Sequence, residues 1–171
     1  MKLYSLKSLC YNGYTIWLNK VNVMLDMLIV EDMLKDVHNP VAQAEQHCMI
    51  ENVLYEAIGE GTKGMQLVAE VTLNRVDNGY YKNTGEELCR VVYRPYQFSW
   101  TLIPQGDRLV YSEEEYMRAA QVVLSVLYDE VERILPPTVL HYINPRHATD
   151  MSWYDPSKVV YRHKNHDFVQ L

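Results

Sequence analysis

The sequence predicts an α+β fold that is mostly helical and ends in a small antiparallel β-sheet. Between residues 41 and 131, apolar residues recur at three- and four-residue steps, which is the period of a helix that buries one face. Two later segments, TVLHYI (138–143) and KVVYRH (158–163), are rich in the β-branched and aromatic residues that favour strands, and DFVQL (167–171) is expected to add an edge strand. Helices that precede the strands, instead of alternating with them, indicate α+β rather than a doubly wound sheet.

Composition and charge exclude several classes of protein. The chain has 171 residues, 48% hydrophobic and 22% charged, which is typical of a single globular domain. Its net charge is -6 and it has no basic run, so we expect no nucleic-acid binding. Cys10, Cys48 and Cys89 are widely spaced and form no CxxC pair. This pattern predicts a reducing compartment, or at least no disulfide framework.

Residues 1–40 are predicted to form an N-terminal helical extension, followed by a domain over residues 41–171. The boundary is Asn39-Pro40, because the residue before a proline is disfavoured in helical geometry. The most apolar segment of the extension, VNVMLDMLIV (21–30), is interrupted by an aspartate, and no small-residue cleavage site follows it. It is also too short to span a bilayer. We therefore expect no signal peptide and no stable membrane insertion.

The first helix of the domain is predicted over about 41–58. Its apolar residues form one buried stripe, made of Met49, Ile50, Val53, Leu54, Ala57 and Ile58. Gly59 and Gly61 are expected to end this helix. Thr62 is expected to cap the next one, TKGMQLVAEVTLNRVDNG (62–79). Apolar residues surround most of the axis of this second helix, so it is predicted to be central and buried.

Capping boxes predict the starts of two more helices. In such a box, a Ser or Thr side chain and a Glu three residues later satisfy each other's backbone N–H groups. Thr84 and Glu87 open a short helix, and Ser112 and Glu115 open a longer one that is predicted to reach about Val131. The loop between these helices holds the aromatic stretch YRPYQFSWT.

Two glutamates in ENVLYEAIGEGTKG (51–64) are candidates for chemistry. At about 100° per residue, Glu56 lies roughly 130° from the centre of the buried stripe, where it can line a groove beside the helix. Glu56 is then either a solvated surface residue or a general acid, whose pKa is raised by apolar neighbours such as Tyr55 and Ile58. Glu60 is a possible second carboxylate, as a two-residue mechanism of glycoside hydrolysis requires.

Histidines offer a rival chemistry near the C-terminus. Three of them with an open coordination position would suit a catalytic zinc ion. The candidates are His141, His147, His163 and His166. No HExxH motif, GxSxG elbow, GxGxxG turn or P-loop is present, so we expect no metal and no cofactor.

Several segments together carry a family resemblance. LYEAIGEGTKGMQLVAEVTLNRV (54–76) fits an aromatic residue, Glu-Ala-x-Gly-Glu, a short turn and Gly-x-x-x-Val-Ala-x-Val-x-Leu-Asn-Arg-Val. VVYRPYQFSWT (91–101) fits Val-x-Tyr-x-Pro-x-Gln-Phe-Ser-Trp, and LHYINP (140–145), Trp153 and KNHDFV (164–169) fit the blocks that follow. In this order they resemble the SleB-like cell wall hydrolases, which include the spore-cortex-lytic enzymes. Ile58 stands where the family usually has arginine, and Lys164 where it usually has glycine.

The resemblance implies a lysozyme-like muralytic domain that acts on the glycan strands of peptidoglycan, with Glu56 as its catalytic acid. Glu56 would protonate the oxygen between N-acetylmuramic acid and N-acetylglucosamine, and in a lytic transglycosylase it would then accept the proton of the muramic C6 hydroxyl. Glu60 would support the turn or bind substrate.

Further side chains are expected to bind sugars or, alternatively, to pack a long loop against the core. The sugar-binding candidates are Tyr93, Gln97, Ser99, Trp100 (by stacking), Tyr142 and Asn144. Asn74 is expected to fasten a loop, and Arg75 to pair with a helix carboxylate.

Two alternatives to a glycan-cutting enzyme remain at this point. One is a zinc amidase or peptidase that acts on the stem peptide through the four histidines. The other is a non-catalytic peptidoglycan-binding or virion structural module. The expected absence of a clear signal peptide and of a disulfide pattern would fit a phage lysis or virion-associated enzyme, made in the bacterial cytoplasm and acting on the cell wall.

Overall fold

The computed structural model describes residues 40–79 and 87–171 and confirms the α+β fold. In these ranges there are four α-helices and three strands, besides short 3-10 turns. The helices are α1 (Pro40–Ala57), α2 (Gly61–Asp77), α3 (Glu87–Val92) and α4 (Glu113–Leu127), and the strands are β1 (His141–Ile143), β2 (Val159–His163) and β3 (His166–Val169). The predicted extension over 1–40 lies outside the described residues except for Pro40, and so does Thr84. Within the described ranges, no helix combines the length and the apolar character needed to cross a membrane.

Helix α2 is the central helix, as its apolar pattern predicted. It contacts α1, α3 and α4, and ten of its residues are buried. The prediction that Thr62 caps it is wrong, because α1 continues through the 3-10 turn Ile58–Glu60 directly into α2. The change of direction is made by Gly61, whose φ of 76° is a conformation that glycine adopts without strain.

Helix α4 begins with the predicted capping box. The backbone N–H of Glu115 donates to Ser112 Oγ at 3.2 Å, and the backbone N–H of Ser112 donates to Glu115 Oε2 at 2.8 Å. The helix ends at Leu127, before the predicted Val131. It stops there because Asp129 has a φ of 56°, and the N–H groups of Asp129 and Glu130 bond back to the carbonyls of Val126 and Ser125. These two bonds form a Schellman motif.

The sheet has the order β1-β3-β2, with both pairs antiparallel. The segment predicted as an edge strand is therefore the central strand, β3. A two-residue loop joins His163 to His166, so β3 folds back on β2, and its other edge is left to pair with β1. Phe168 of β3 is fully buried and packs against residues of α2 and of the 135–139 loop, which are Leu67, Val71, Leu135 and Val139. This cluster attaches the sheet to the helical part.

A disulfide joins Cys48 of α1 to Cys89 of α3, with their Cα atoms 5.2 Å apart. The expectation that the cysteines form no disulfide framework is therefore wrong for Cys48 and Cys89. The two residues are 41 positions apart in the chain, and they meet because α1 and α3 pack together. Structural disulfides persist in oxidising environments, which removes the argument for a reducing compartment.

Candidate active site

A groove of about 510 Å³ lies beside the C-terminal turn of α1. One side, the loop wall, consists of Tyr96, Gln97, Phe98 and Ser99. A second side, the sheet wall, consists of His141, Tyr142, Ile143, Asn144 and His166. Glu56, Arg75, Trp153 and Leu171 complete the lining. Among the described residues that line the groove, Glu56 is the single acidic side chain.

Glu56 combines access to the groove with a largely apolar setting. It lies in the last turn of α1, on the flank of the buried stripe where the helical count places it. Its Oε2 accepts a hydrogen bond of 3.0 Å from the Tyr142 hydroxyl. Burial raises the pKa of Glu56 above its usual value, and the Tyr142 hydrogen bond and the Arg75 charge offset only part of that rise. A carboxyl with a raised pKa is suited to donate a proton near neutral pH.

Tyr142 and Arg75 hold the surroundings of Glu56 in place. Burial raises the pKa of Tyr142 well above its usual value, so the phenol stays protonated and serves as a donor to Glu56. Arg75 is 4% exposed, and its Nε donates to the carbonyl of Leu140 at 2.7 Å. Its guanidinium lies 5.2 Å from the centre of the Phe98 ring. Arg75 thus links α2 to the loop wall and to the residue before β1, and its positive charge acts on Glu56.

The two groove histidines are neutral at physiological pH. Burial lowers the pKa of His141, and the Arg75 charge lowers it further. Burial also lowers the pKa of His166; the charge of Glu60 opposes this effect and that of His163 adds to it. Both rings are therefore polar, uncharged contacts for anything bound in the groove.

Glu60 is turned away from the groove and fastens the β2–β3 hairpin. Its Oε1 accepts from Asn165 Nδ2 at 2.9 Å, and its backbone carbonyl lies 3.0 Å from His163 Nε2. Burial would raise the pKa of Glu60, but the hydrogen bonds from Asn165 together with the charges of His166 and Lys164 outweigh burial and lower it. Glu60 also lies very close to Gly64 in the first turn of α2. Only glycine fits at position 64, because a Cβ there would lie 2.2 Å from the Cβ of Glu60. Glu60 is not among the groove-lining residues, so the structure places it as a support of the turn rather than as a second carboxylate.

Two of the predicted sugar-binding side chains lie outside the groove. Trp100 is 3% exposed, so the prediction that it stacks on a sugar is wrong. Its ring stacks on Tyr55, with centroids 4.4 Å apart, and its Nε1 donates to Asn52 Oδ1 at 3.0 Å. The Tyr93 hydroxyl donates to Glu51 and its ring packs edge-on against Trp100. For Trp100, packing of the loop against the helices is the correct interpretation, whereas Tyr93 is 40% exposed and its binding of sugar stays a prediction.

Gln97, Ser99, Tyr142 and Asn144 do line the groove, as predicted. Ser99 is exposed and Gln97 is half-buried, so their polar atoms are accessible. Asn144 Oδ1 accepts from the backbone N–H of Arg146 at 3.1 Å, which fixes the side-chain amide at the end of β1. The groove therefore offers neutral hydrogen-bonding groups on both walls around one carboxyl.

The sequence comparison agrees with this arrangement. Residues 59–169 match the sequence model of the Cell Wall Hydrolase family, which is more than half of the chain. The protein is a member of the cell wall hydrolase family. No curated protein and no solved structure matches the chain significantly. Family membership indicates an enzyme that degrades peptidoglycan, and Glu56 lies three residues before the matched range.

The four histidines of this cell wall hydrolase do not form a zinc site. His141 and His166 line the groove, His163 bonds to the Glu60 carbonyl and His147 is exposed. Throughout residues 40–79 and 87–171, no group of three or more His, Cys, Asp or Glu side chains could hold a metal ion. The ligand set of the zinc alternative is therefore wrong.

The sequence did not single out two aromatic residues of the groove as binding residues. Trp153 is half-buried, with its ring 5.8 Å from that of His141. Tyr96 is 87% exposed. Trp153 belongs to a block of the family resemblance, which was a usable signal. Nothing in the local pattern around Tyr96 indicates that its ring borders a groove.

Proposed function

We propose that this cell wall hydrolase cleaves the glycosidic bond between N-acetylmuramic acid and N-acetylglucosamine, as a lytic transglycosylase with Glu56 as general acid and base. One observation carries the proposal: a single carboxyl with a raised pKa lies in the groove, hydrogen-bonded to Tyr142. Hydrolysis by the usual two-residue mechanism needs a second carboxylate beside the scissile bond. Glu60, the candidate for that role, is bound to the hairpin instead.

The proposed reaction needs one carboxyl in two protonation states. Protonated Glu56 donates its proton to the bridging oxygen, the bond from the muramic C1 to that oxygen breaks, and positive charge develops on C1 and the ring oxygen. The muramic C6 hydroxyl then attacks C1, and the Glu56 carboxylate takes the hydroxyl proton. The products are a glycan with a new C4 hydroxyl and a 1,6-anhydromuramic end. No water is consumed, and Glu56 ends the cycle protonated.

Neutral groups of the groove are suited to the substrate. Gln97, Ser99 and Asn144 can hydrogen-bond hydroxyl and acetamido groups, and the Trp153 ring can pack against a sugar face. The Cys48–Cys89 disulfide supports a site of action outside the reducing cytoplasm, and the cell wall is outside the cytoplasm. A phage lysis or virion-associated role remains our proposal for its biological setting.

The test is digestion of purified peptidoglycan by the wild type, Glu56→Gln and Glu60→Gln, with the soluble products weighed by mass spectrometry. We expect anhydromuramic ends from the wild type and a loss of about a thousandfold in kcat for Glu56→Gln, since general acid-base catalysis contributes on that order. Glu60→Gln is the matched control. It weakens the Asn165 hydrogen bonds, so it should lower the melting temperature and keep kcat within about threefold.

Other products would contradict the proposal in distinct ways. Reducing ends that disappear in Glu56→Gln would mean that water, not the C6 hydroxyl, attacks C1. Free stem peptides that both variants still release would mean an amidase or peptidase. Binding to peptidoglycan without any released fragment would mean a non-catalytic module.

A further inference from the structure

Tyr96 occupies a backbone position that glycine or asparagine usually fills. The N–H of Gln97 donates to the carbonyl of Arg94 at 3.1 Å, which closes a β-turn with Pro95 and Tyr96 at its centre. The φ of Tyr96 is 63°. A turn with proline at the first central position and a positive φ at the second has the pattern of type II. At the second position a Cβ crowds the neighbouring backbone, and a bulky side chain makes the conformation an outlier.

The Tyr96 side chain makes no hydrogen bond and no ring contact within the described part of the fold that could offset this strain. It is 87% exposed, the second-largest exposure among the large hydrophobic residues there. In residues 40–79 and 87–171, no hydrogen bond reaches its hydroxyl and no aromatic ring packs against its own. Strained residues persist mainly where they serve a function, so an observed outlier of this kind calls for a functional explanation.

The location of the ring supplies that explanation. Tyr96 lines the same groove as Glu56 and directly precedes Gln97 on the loop wall. A tyrosine ring offers a flat apolar face and a polar hydroxyl, which together match a sugar ring with its C–H face and its hydroxyl groups. The Pro95 turn fixes the Tyr96 backbone at the border of the groove, and ordering the ring on a bound sugar costs little side-chain entropy, since tyrosine has two χ angles.

We propose that Tyr96 is a substrate-binding residue whose ring packs against a sugar of the glycan strand. The proposal rests on the function proposed above, because it takes the groove as the glycan site. It assigns the strained turn to recognition, whereas Glu56, hydrogen-bonded to Tyr142, carries out the proposed chemistry.

The experiment separates the ring from the backbone by comparing Tyr96→Ala with Tyr96→Gly. Both variants lose the ring, and only glycine relieves the positive φ. Binding is measured with the full chain in a Glu56→Gln background, by co-sedimentation with purified peptidoglycan. We expect both variants to bind about five- to tenfold more weakly, and Tyr96→Phe to bind within about twofold of the parent. Only Tyr96→Gly should melt higher, by about 2 °C.

Asp129→Gly is the matched control. Asp129 is exposed, has a φ of 56° at the end of α4, and is not among the groove-lining residues. Its glycine variant should therefore show a similar rise in melting temperature with unchanged binding to peptidoglycan.

The outcomes distinguish this inference from the proposed reaction. If Tyr96→Ala and Tyr96→Gly bind like the parent while the wild type cuts glycan, the inference is overturned and the reaction stands. If only the glycine variant binds weakly, turn geometry and not the ring is responsible, which also overturns it. If both variants bind weakly but the wild type yields no cut glycan, the inference stands and the reaction fails. A wild type that does not bind peptidoglycan overturns both.

Discussion

The two walls of the groove are held in place by different means. On the sheet wall, Tyr142 pairs with Phe168 in the antiparallel ladder, and Phe168 is fully buried against α2. The loop wall has no strand. Its position depends on Phe98 and the neighbouring Trp100, which are anchored in the core, while Tyr96 and Ser99 stay exposed. The sheet wall thus contributes Tyr142, the rigidly held partner of Glu56. The loop wall contributes accessible side chains, and a few buried residues attach it to the core.

This difference suggests a division of labour. A proton donor must be held to within a fraction of an ångström, and a continuous ladder with a packed core does that. Substrate contacts tolerate more adjustment, so a tethered loop suffices for them. Breaking a tether of the loop wall should therefore affect stability and substrate binding, whereas changes on the sheet wall should affect the pH dependence of catalysis.

The largest effect is expected from removal of the disulfide. Cys89 lies within α3, and the loop wall begins shortly after that helix ends at Val92, so the Cys48–Cys89 bond tethers this region to α1. Closing a loop of this length should stabilise the fold by about 4 kcal/mol in the chain-entropy model. We expect the double variant Cys48→Ser/Cys89→Ser to lose stability of that order in urea unfolding, and to raise KM more than it lowers kcat.

A reducing agent provides the control for that prediction. Dithiothreitol should lower the stability of the wild type to that of the double variant and leave the double variant unchanged. The contrary result is a urea midpoint of the wild type that does not change in dithiothreitol even when thiol titration shows that the disulfide is reduced. That result would show that the loop wall does not depend on this tether.

The second prediction concerns the polar tether beneath the loop wall. Asn52 is fully buried, accepts from Trp100 Nε1 at 3.0 Å and donates to Thr72 Oγ1 at 3.2 Å. Asn52→Ala leaves the indole N–H buried without that acceptor, which should cost about 2–3 kcal/mol. Because Trp100 stacks on Tyr55 next to the groove, KM should also rise. Thermal unfolding measures the loss of stability, and initial rates on soluble glycan strands measure KM.

Asn78→Ala is a suitable comparison for Asn52→Ala. Asn78 is exposed and donates to the carbonyls of Asn74 and Pro137, away from the groove lining. Its loss should cost less than about 1 kcal/mol, since water replaces the lost partners, and KM should not change. Equal KM values for the two variants would argue that Trp100 does not position the loop wall.

The same contrast explains what the sequence could predict. The central position of α2 and the flank position of Glu56 follow from helical periodicity, which is a local property. The start of α4 follows from the capping chemistry of Ser112 and Glu115. The sheet wall could also be predicted, because Tyr142 lies in a strand of recognisable composition and both Tyr142 and Asn144 belong to a block of the family pattern.

Prediction from sequence was incomplete on and beside the loop wall, because Gln97 and Ser99 were identified but the exposure of Tyr96 and the burial of Trp100 were not. Whether Trp100 is buried and Tyr96 is exposed depends on how α3 and the loop pack on α1, which no local pattern encodes. The pairing of Cys48 with Cys89 depends on the same packing across 41 positions. The central place of β3 was missed for a related reason, since a strand's neighbours are set by the chain reversal at Lys164 and by tertiary contacts.

The smallest effect is expected on the sheet wall, from Tyr142→Phe. The Tyr142 hydroxyl stabilises the charged form of Glu56, so its removal should raise the pKa of Glu56 further. In the proposed reaction Glu56 must be protonated, so activity is lost as the pH rises through that pKa, and the alkaline limb of the kcat/KM profile should move to higher pH. The lost hydrogen bond should lower the free energy of unfolding by about 1–2 kcal/mol at neutral pH, because the ionised form of Glu56 accepts this bond more strongly. The loss of stability should be smaller in acid, where Glu56 is protonated.

Tyr161→Phe provides the matched comparison on the same sheet. Tyr161 lies on β2 against Phe168 and is not among the residues that line the groove, so its pH profile should match the wild type. An alkaline limb that moves down in Tyr142→Phe, or that does not move, would mean that another group controls the profile. In that case Tyr142 would be a packing residue, and the distinction between a rigid catalytic wall and a tethered binding wall would no longer hold.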